Sequence, residues 1–222
     1  MLASPAILTE DLSSTNIITE YVVSADSFAG IGIECLLSEQ GKTCVKLTSY
    51  IPLLITTVRQ PHTCWRLIME MPDDPLSLLD MVDGLAKLIR LCPRPPHILI
   101  LCPVPGKWLM RTLIALACPE SSLTHLTVLP RRTDCKSLAA ILAGLPPASM
   151  EWGGSLVFQY PVLSPTEFQA IRDWLAGSSA RSCASRAGGS VKTIYTNRYH
   201  ARCKLGALFP SLLPHGRGPW AT

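Results

Sequence analysis

The chain has nine cysteines but no CxxC pair, five histidines without ligand spacing, and no uncharged apolar run near the ~20 residues that a membrane span requires. These absences argue against a zinc scaffold and a spanning helix, so no metal, no cofactor and no membrane contact is expected. The cysteines fall mostly in apolar runs such as Glu34-Cys35-Leu36 and Ile100-Leu101-Cys102, where they read as small buried hydrophobes of a reducing compartment. No secretory signal opens the chain, because Met1 to Glu20 lacks a basic start and carries Glu10, Asp11 and Glu20. A cytoplasmic location is therefore expected. GxGxxG, P-loop and nucleophile-elbow motifs are also missing, and no Ser/His/Asp arrangement is legible, which argues against an enzyme.

What is present is unevenly distributed. Residues 151–222 hold eight Lys/Arg (Arg172, Arg181, Arg186, Lys192, Arg198, Arg202, Lys204, Arg217) against three acids (Glu151, Glu167, Asp173), a surplus of +5. Residues 1–150 hold twelve against thirteen, or −1. A basic end on a near-neutral body is what a phosphate-neutralising module requires.

That end also carries helix signals. Ser164 can cap, Pro165 suits a first turn and Glu167 can complete a capping box. Phe168, Ile171, Trp174 and Leu175 then recur at helical spacing as far as Gly177. Ser179 to Ala187 fits a second short helix with Cys183, Ala184 and Ala187 as its small apolar face. Gly188 and Gly189 make a turn, and Ser190 is placed to cap a third helix that runs to Gly206. Three short helices with a glycine turn before a basic last one form a helix-turn-helix pattern.

The stretch Leu163-Ser164-Pro165-Thr166-Glu167, Gly177, Ala184, Ser190, Lys192-Thr193-Ile194 and Lys204-Leu205-Gly206 resembles the DNA-binding domain of the LuxR/NarL bacterial transcription regulators, without a gap over about forty-five residues. The resemblance implies double-stranded DNA as partner and a dimer, either of this chain or with another LuxR-type response regulator. It implies base contacts from Tyr195, Thr196 and Tyr199 and phosphate contacts from Thr193 and Lys204. Helical spacing turns Ile194, Ala201 and Leu205 inward and Lys192, Tyr195, Thr196, Tyr199 and Arg202 outward. Arg198 either reaches phosphate or packs along the helix edge. Two tyrosines stand where the family usually has lysine, and the tail from Phe209, with Pro210, Pro214 and Pro219, departs from the family's fourth helix.

Ahead of this domain the chain alternates strands and helices. Strands are expected up to Val23, over Val45–Tyr50, Trp65–Met71, His97–Cys102 and Leu123–Leu129. Helices are expected from Phe28 to Gln40, Leu76 to Leu91, Trp108 to Ala117 and Asp134 to Leu145, with 51–63 ambiguous. This predicts a doubly wound five-stranded α/β domain followed by an all-α helix-turn-helix domain. The boundaries are a leader over 1–18, the α/β domain over 19–146, a linker over 147–161 marked by Pro146-Pro147 and Gly153-Gly154, and the helical domain over 162–222. The helix 108–117 is more apolar than one covered face needs, so it reads either as core or as a partner surface.

The α/β half resembles the receiver domain that commonly precedes such a module. A receiver needs an acidic cluster, a phosphorylatable aspartate, a hydroxyl residue and a lysine around a divalent cation. Here those positions fall on Asp26, Glu70, Cys102 or Pro103, and Leu129, with Asp73 and Asp74 as an alternative acidic pair in the following loop. A glutamate cannot form the aspartyl phosphate, so a pseudo-receiver that is not phosphorylated is expected. Degenerate receivers of this kind resemble the auxiliary enterobacterial regulators of the RcsA/BglJ type. The competing reading is an interaction protein that modulates a partner regulator without binding DNA.

Overall fold

Parallel neighbours in a sheet need crossover connections, and the alternation of strand and helix in this chain supplies helices for them. The computed structural model describes residues 19–24, 28–47, 65–92, 96–116, 118, 123–145 and 161–212. In chain order these form β1 (Thr19–Val23), α1 (Phe28–Glu39), β2 (Cys44–Leu47), β3 (Trp65–Glu70), α2 (Pro75–Leu91), β4 (His97–Cys102), α3 (Gly106–Ala115), β5 (Leu126–Pro130) and α4 (Cys135–Leu142). The helical half follows as α5 (Pro165–Leu175), α6 (Ala180–Ala187), α7 (Val191–Leu205) and a 3-10 turn at Pro210–Leu212. The ambiguous segment 51–63, the leader, Asp26 and the linker up to residue 160 lie outside the described residues.

The sheet is parallel, in the order β2-β1-β3-β4-β5. The register sets Glu20 beside Arg66, Met69 beside Ile100 and Leu101 beside Leu129. In β4 the residues from Ile98 to Cys102 are all buried, because alternate side chains enter two different cores. Ile98, Ile100 and Cys102 join α2 and α3 through Leu78, Leu85, Leu109 and Trp108. Leu99 and Leu101 join α1 and α4 through Ile33, Leu37, Leu138 and Leu142.

In α3, Trp108, Leu109, Thr112 and Leu113 are buried and Met110 packs against the first core, leaving Ile114 as the helix's exposed large hydrophobe. The apolar surplus of this helix is therefore core, not the partner surface that was one of its two readings. The helix also begins at Gly106, two residues earlier than the periodicity suggested. β5 begins at Leu126, three residues later than expected.

An ion cluster closes the sheet at the end where β1 and β3 begin. The Arg66 guanidinium grips its register partner Glu20 through Nε–Oε2 and Nη2–Oε1, both at 2.7 Å. Arg66 Nη2 also donates to the Leu142 carbonyl at 2.9 Å, Lys42 Nζ donates to the same oxygen, and Gln40 Nε2 donates to the Ala139 carbonyl at 2.9 Å. Arg66 and Lys42 thus satisfy the Leu142 carbonyl at the C-terminal end of α4, and Gln40 adds a second donor to the Ala139 carbonyl, which already accepts from the Ala143 N–H at 2.9 Å.

The helical half shares the first core. Leu163, Phe168, Ile171, Ala201, Leu205 and Leu212 are continuous with the apolar side of α2. At the rim, Arg172 of α5 donates to Asp80 (Nε–Oδ1, 2.5 Å) and to Asp83 (Nη1–Oδ2, 2.8 Å) on α2. No helix among the described residues is long and apolar enough to cross a membrane.

Candidate nucleic-acid interface

The reading helix is set by its caps and by a small scaffold. Ser164 accepts from the Glu167 N–H at 3.3 Å, and Glu167 Oε2 accepts from the Ser164 N–H at 2.7 Å, a complete capping box that starts α5. Gly188 ends α6 at φ +62, a backbone region that a side chain would strain. Ser190 then accepts from the Thr193 N–H at 3.0 Å and starts α7. Between α6 and α7 the core consists only of Ala180, Cys183, Ala184 and Ile194.

On α7, Ile194, Ala201 and Leu205 are buried, as their spacing required. Lys192, Thr193, Tyr195, Thr196, Tyr199, His200 and Cys203 face solvent, with Tyr195 40% and Tyr199 58% exposed. Thr196 Oγ1 donates to the Lys192 carbonyl at 3.1 Å, and Thr193 Oγ1 lies 2.8 Å from Ser190 Oγ at the cap.

Three of the expected DNA contacts are turned inward. Arg198 is 4% exposed, and its Nη2 donates to the Ser178 carbonyl at 2.8 Å and to Cys183 Sγ at 3.4 Å. Arg202 is 8% exposed, stacks 5.0 Å over the Trp174 ring and donates from Nε to the Leu212 carbonyl at 3.1 Å. Lys204 Nζ donates to Glu167 Oε2 at 2.6 Å and to the Val162 carbonyl at 3.1 Å. The reason is shared: these positions flank the inward stripe of α7. A long aliphatic stem there covers apolar surface while its cationic head finds carbonyls and a carboxylate within reach.

Burial is the largest single influence on Glu167 and pushes its carboxyl up. The hydrogen bond from Lys204, the Ser164 N–H and the Lys204 charge together outweigh it and leave the group below its ordinary value.

The charge surplus of the helical half is thus largely consumed inside the molecule. Arg172 is held by Asp80 and Asp83, and Arg186 by Asp173 at 2.6 Å. Arg217 lies outside the described residues. Among the described residues of the helical half, Arg181 on α6 and Lys192 on α7 are the exposed cations with no salt bridge to an acid. Arg181 was not singled out from the sequence, where it was one of eight similar cations. Cys203 was likewise missed; it lies eleven residues after Lys192 on the same side of α7.

At the phosphoacceptor position the side chains assemble differently from the expected pocket. Glu70 is 5% exposed, accepts from Ser24 Oγ at 2.9 Å and from Arg131 Nε at 3.2 Å, and pairs with Arg131 Nη2 at 3.1 Å. Arg131 also pairs with Asp73. The Asp73 hydrogen bond, chiefly, then its charge and that of Glu70, hold the guanidinium above its ordinary pKa against the effect of burial. These groups meet where β1, β3 and β5 end, beside the point at which strand order reverses.

Cys102 and Leu129 do not join them. Cys102 lies in the first core with its thiol against Met71 Sδ at 3.6 Å, its pKa pushed up to about 11 by burial, and Leu129 lies in the second core. Asp74 caps α2 by accepting from the Ser77 N–H at 2.8 Å. The cation of the site is thus Arg131, two residues beyond Leu129, where matching the sequence position by position did not look.

No protein-family model matches the chain, and no curated protein matches it. It is similar to solved structures. One is RcsB from Salmonella enterica serovar Typhimurium bound to promoter rprA in the presence of phosphomimetic BeF3−, at 19% identity and TM-score 0.52, covering 89% of this chain and 100% of that one. Others are a Salmonella typhimurium RcsB response regulator at 21% identity and TM-score 0.40 over 86% and 93%, and two RcsB dimers bound to two parallel DNAs at 18% identity and TM-score 0.47 over 88% and 98%. The first of these likenesses is one of fold: a five-stranded α/β domain followed by a helix-turn-helix domain.

Proposed function

We propose that this chain is a cytoplasmic DNA-binding transcription regulator whose α7 enters the major groove, and whose α/β half acts without phosphorylation and pairs the molecule with a second regulator, identical or different. The observation that carries it is the solvent-facing side of α7. Lys192, Tyr195, Thr196 and Tyr199 stand on a helix whose opposite side is fixed to α5 and α6, the presentation that groove entry requires. Lys192 and Thr193 lie in the first turn, where the positive end of the helix dipole favours phosphate. RcsB, with which the chain shares its fold, has been solved on DNA.

Phosphorylation independence is supported by Glu70. The residue is a glutamate, one carboxylate oxygen accepts from Ser24, and the other pairs with Arg131, so an ion pair stands at the position that the receiver resemblance gives to the phosphoacceptor. The RcsA/BglJ-like assignment rests on the same departures from the receiver pattern.

The test is binding of labelled duplex by the full chain, alone and mixed with a second LuxR-type regulator, before and after incubation with acetyl phosphate and Mg²⁺. Retention of duplex with no phosphoryl adduct in the intact mass is expected. A phosphoryl adduct would overturn the second half of the reading. The alternative, modulation of a partner without DNA contact, draws on the small number of exposed cations, and cross-linking to a partner with no footprint on DNA would favour it.

A further inference from the structure

We propose that the exposed side of α7 selects thymine-bearing, A·T-rich sites by apolar contact with thymine methyl groups; this rests on the DNA-binding reading above and names its substrate class. Three observations lead there. The first is Thr196, whose hydroxyl is committed to its own helix by donation to the Lys192 carbonyl at 3.1 Å. A threonine bonded back to the carbonyl four residues earlier presents its methyl group, not its hydroxyl, to what lies outside. The second is that Tyr195 and Tyr199, both exposed, lie together to one side of it, so two aromatic rings and a methyl group share an arc of ~100°.

The third is what that arc does not hold. The forked donor that reads guanine is absent, because Arg198 and Arg202 are folded inward onto Ser178 and Trp174. Asn197, the amide that could read adenine, is half-buried and lies ~100° around the helix from Thr196. No Asp or Glu occurs on α7 to accept from cytosine. Lys192 is the flexible cation there that could grip a guanine edge, and it sits in the first turn beside the helix N-terminus, where phosphate competes for it; His200, ~40° beyond Thr196, has its Nδ1 3.9 Å from Glu167 Oε1. In the major groove, only thymine offers an apolar group to such a surface.

The experiment selects bound duplexes from a random-sequence pool with the full chain, then measures affinity for the enriched duplex made with dT and with dU, which lacks the methyl group. Enrichment of A·T pairs is expected, with about a four-fold loss for each contacted methyl group removed. Thr196→Ser keeps the backbone bond and removes the methyl. It should lose about four-fold on the dT duplex and nothing further on the duplex whose dT facing residue 196 is replaced by dU. Tyr199→Ala should weaken binding, whereas Tyr199→Phe, which keeps the ring, should not. Enrichment of G·C-rich duplexes, or equal affinity for dT and dU, overturns the proposal while leaving DNA binding intact. Failure to retain any duplex at low salt overturns the DNA-binding reading itself, and this proposal with it.

Discussion

Arg202 shows how residue placement reassigns chemistry. Its spacing from Lys192 and Tyr195 suggested a shared outward side, yet its guanidinium lies over Trp174 and donates to the Leu212 carbonyl. Arg202→Ala should therefore lower stability by about 1–2 kcal/mol, through a lost buried contact and an orphaned carbonyl, as read by denaturant midpoint. It should leave the salt dependence of DNA binding unchanged. Glu70 follows the same logic in reverse: removing it in Glu70→Ala takes one acceptor from Ser24 and one carboxylate from the Arg131 guanidinium. Arg131 is a third exposed and keeps Asp73, so the cost should be about 1–2 kcal/mol, below the range for a fully buried pair. A midpoint unchanged from the parent chain would show that the ion pair contributes nothing. Position matching exposed the missing aspartate and lysine but could not expose Arg131, because a cation two residues along a loop reaches Glu70 only once β3 and β5 are set either side of β4.

At the scale of elements, most of the architecture was legible because period and caps agreed. The box at Ser164 and Glu167, the glycine stop after α6 and the cap at Ser190 mark α5 to α7 by local chemistry alone. The short apolar run of β4, bounded by prolines on both sides, reads as a strand covered on both faces. Boundaries slipped at α3, at β5 and at the end of α4, which stops at Leu142, three residues short of the expected Leu145; α3 begins at Gly106 after Pro105 with no side-chain cap. Glu167 joins elements, since it closes the α5 box and anchors Lys204 at the end of α7. Its carboxyl titrates below its ordinary 4.5 in the folded chain, so its contribution is present above that pH and is lost as pH falls through the lowered value. The helical half should accordingly lose stability on acidification below about pH 4.5, and Glu167→Gln should be less stable at pH 7 while flattening that acid dependence. Equal acid profiles for the two chains, followed by circular dichroism, would contradict this.

For the whole molecule, the helical half rests on α2 through a shared apolar core and the Arg172 contacts with Asp80 and Asp83, while the exposed side of α7 stays open. Arg172→Glu places a third acid beside two others and should loosen that docking, seen as a larger radius of gyration in small-angle scattering and faster proteolysis between the halves; an unchanged radius would mean that the apolar contact suffices. The sequence showed a surplus of positive charge but not how it is spent, because burial, stacking and pairing of cations are tertiary events. The most direct measurement is therefore the slope of log affinity against log salt for the full chain and for Lys192→Ala. With Arg181 and Lys192 as the exposed cations, the slope should be near −2 for each bound head and should become shallower by about 0.9 for each head when Lys192 is removed. A slope unchanged by Lys192→Ala, or one several times steeper that collapses in Arg202→Ala, would contradict entry of this side of α7 into the groove.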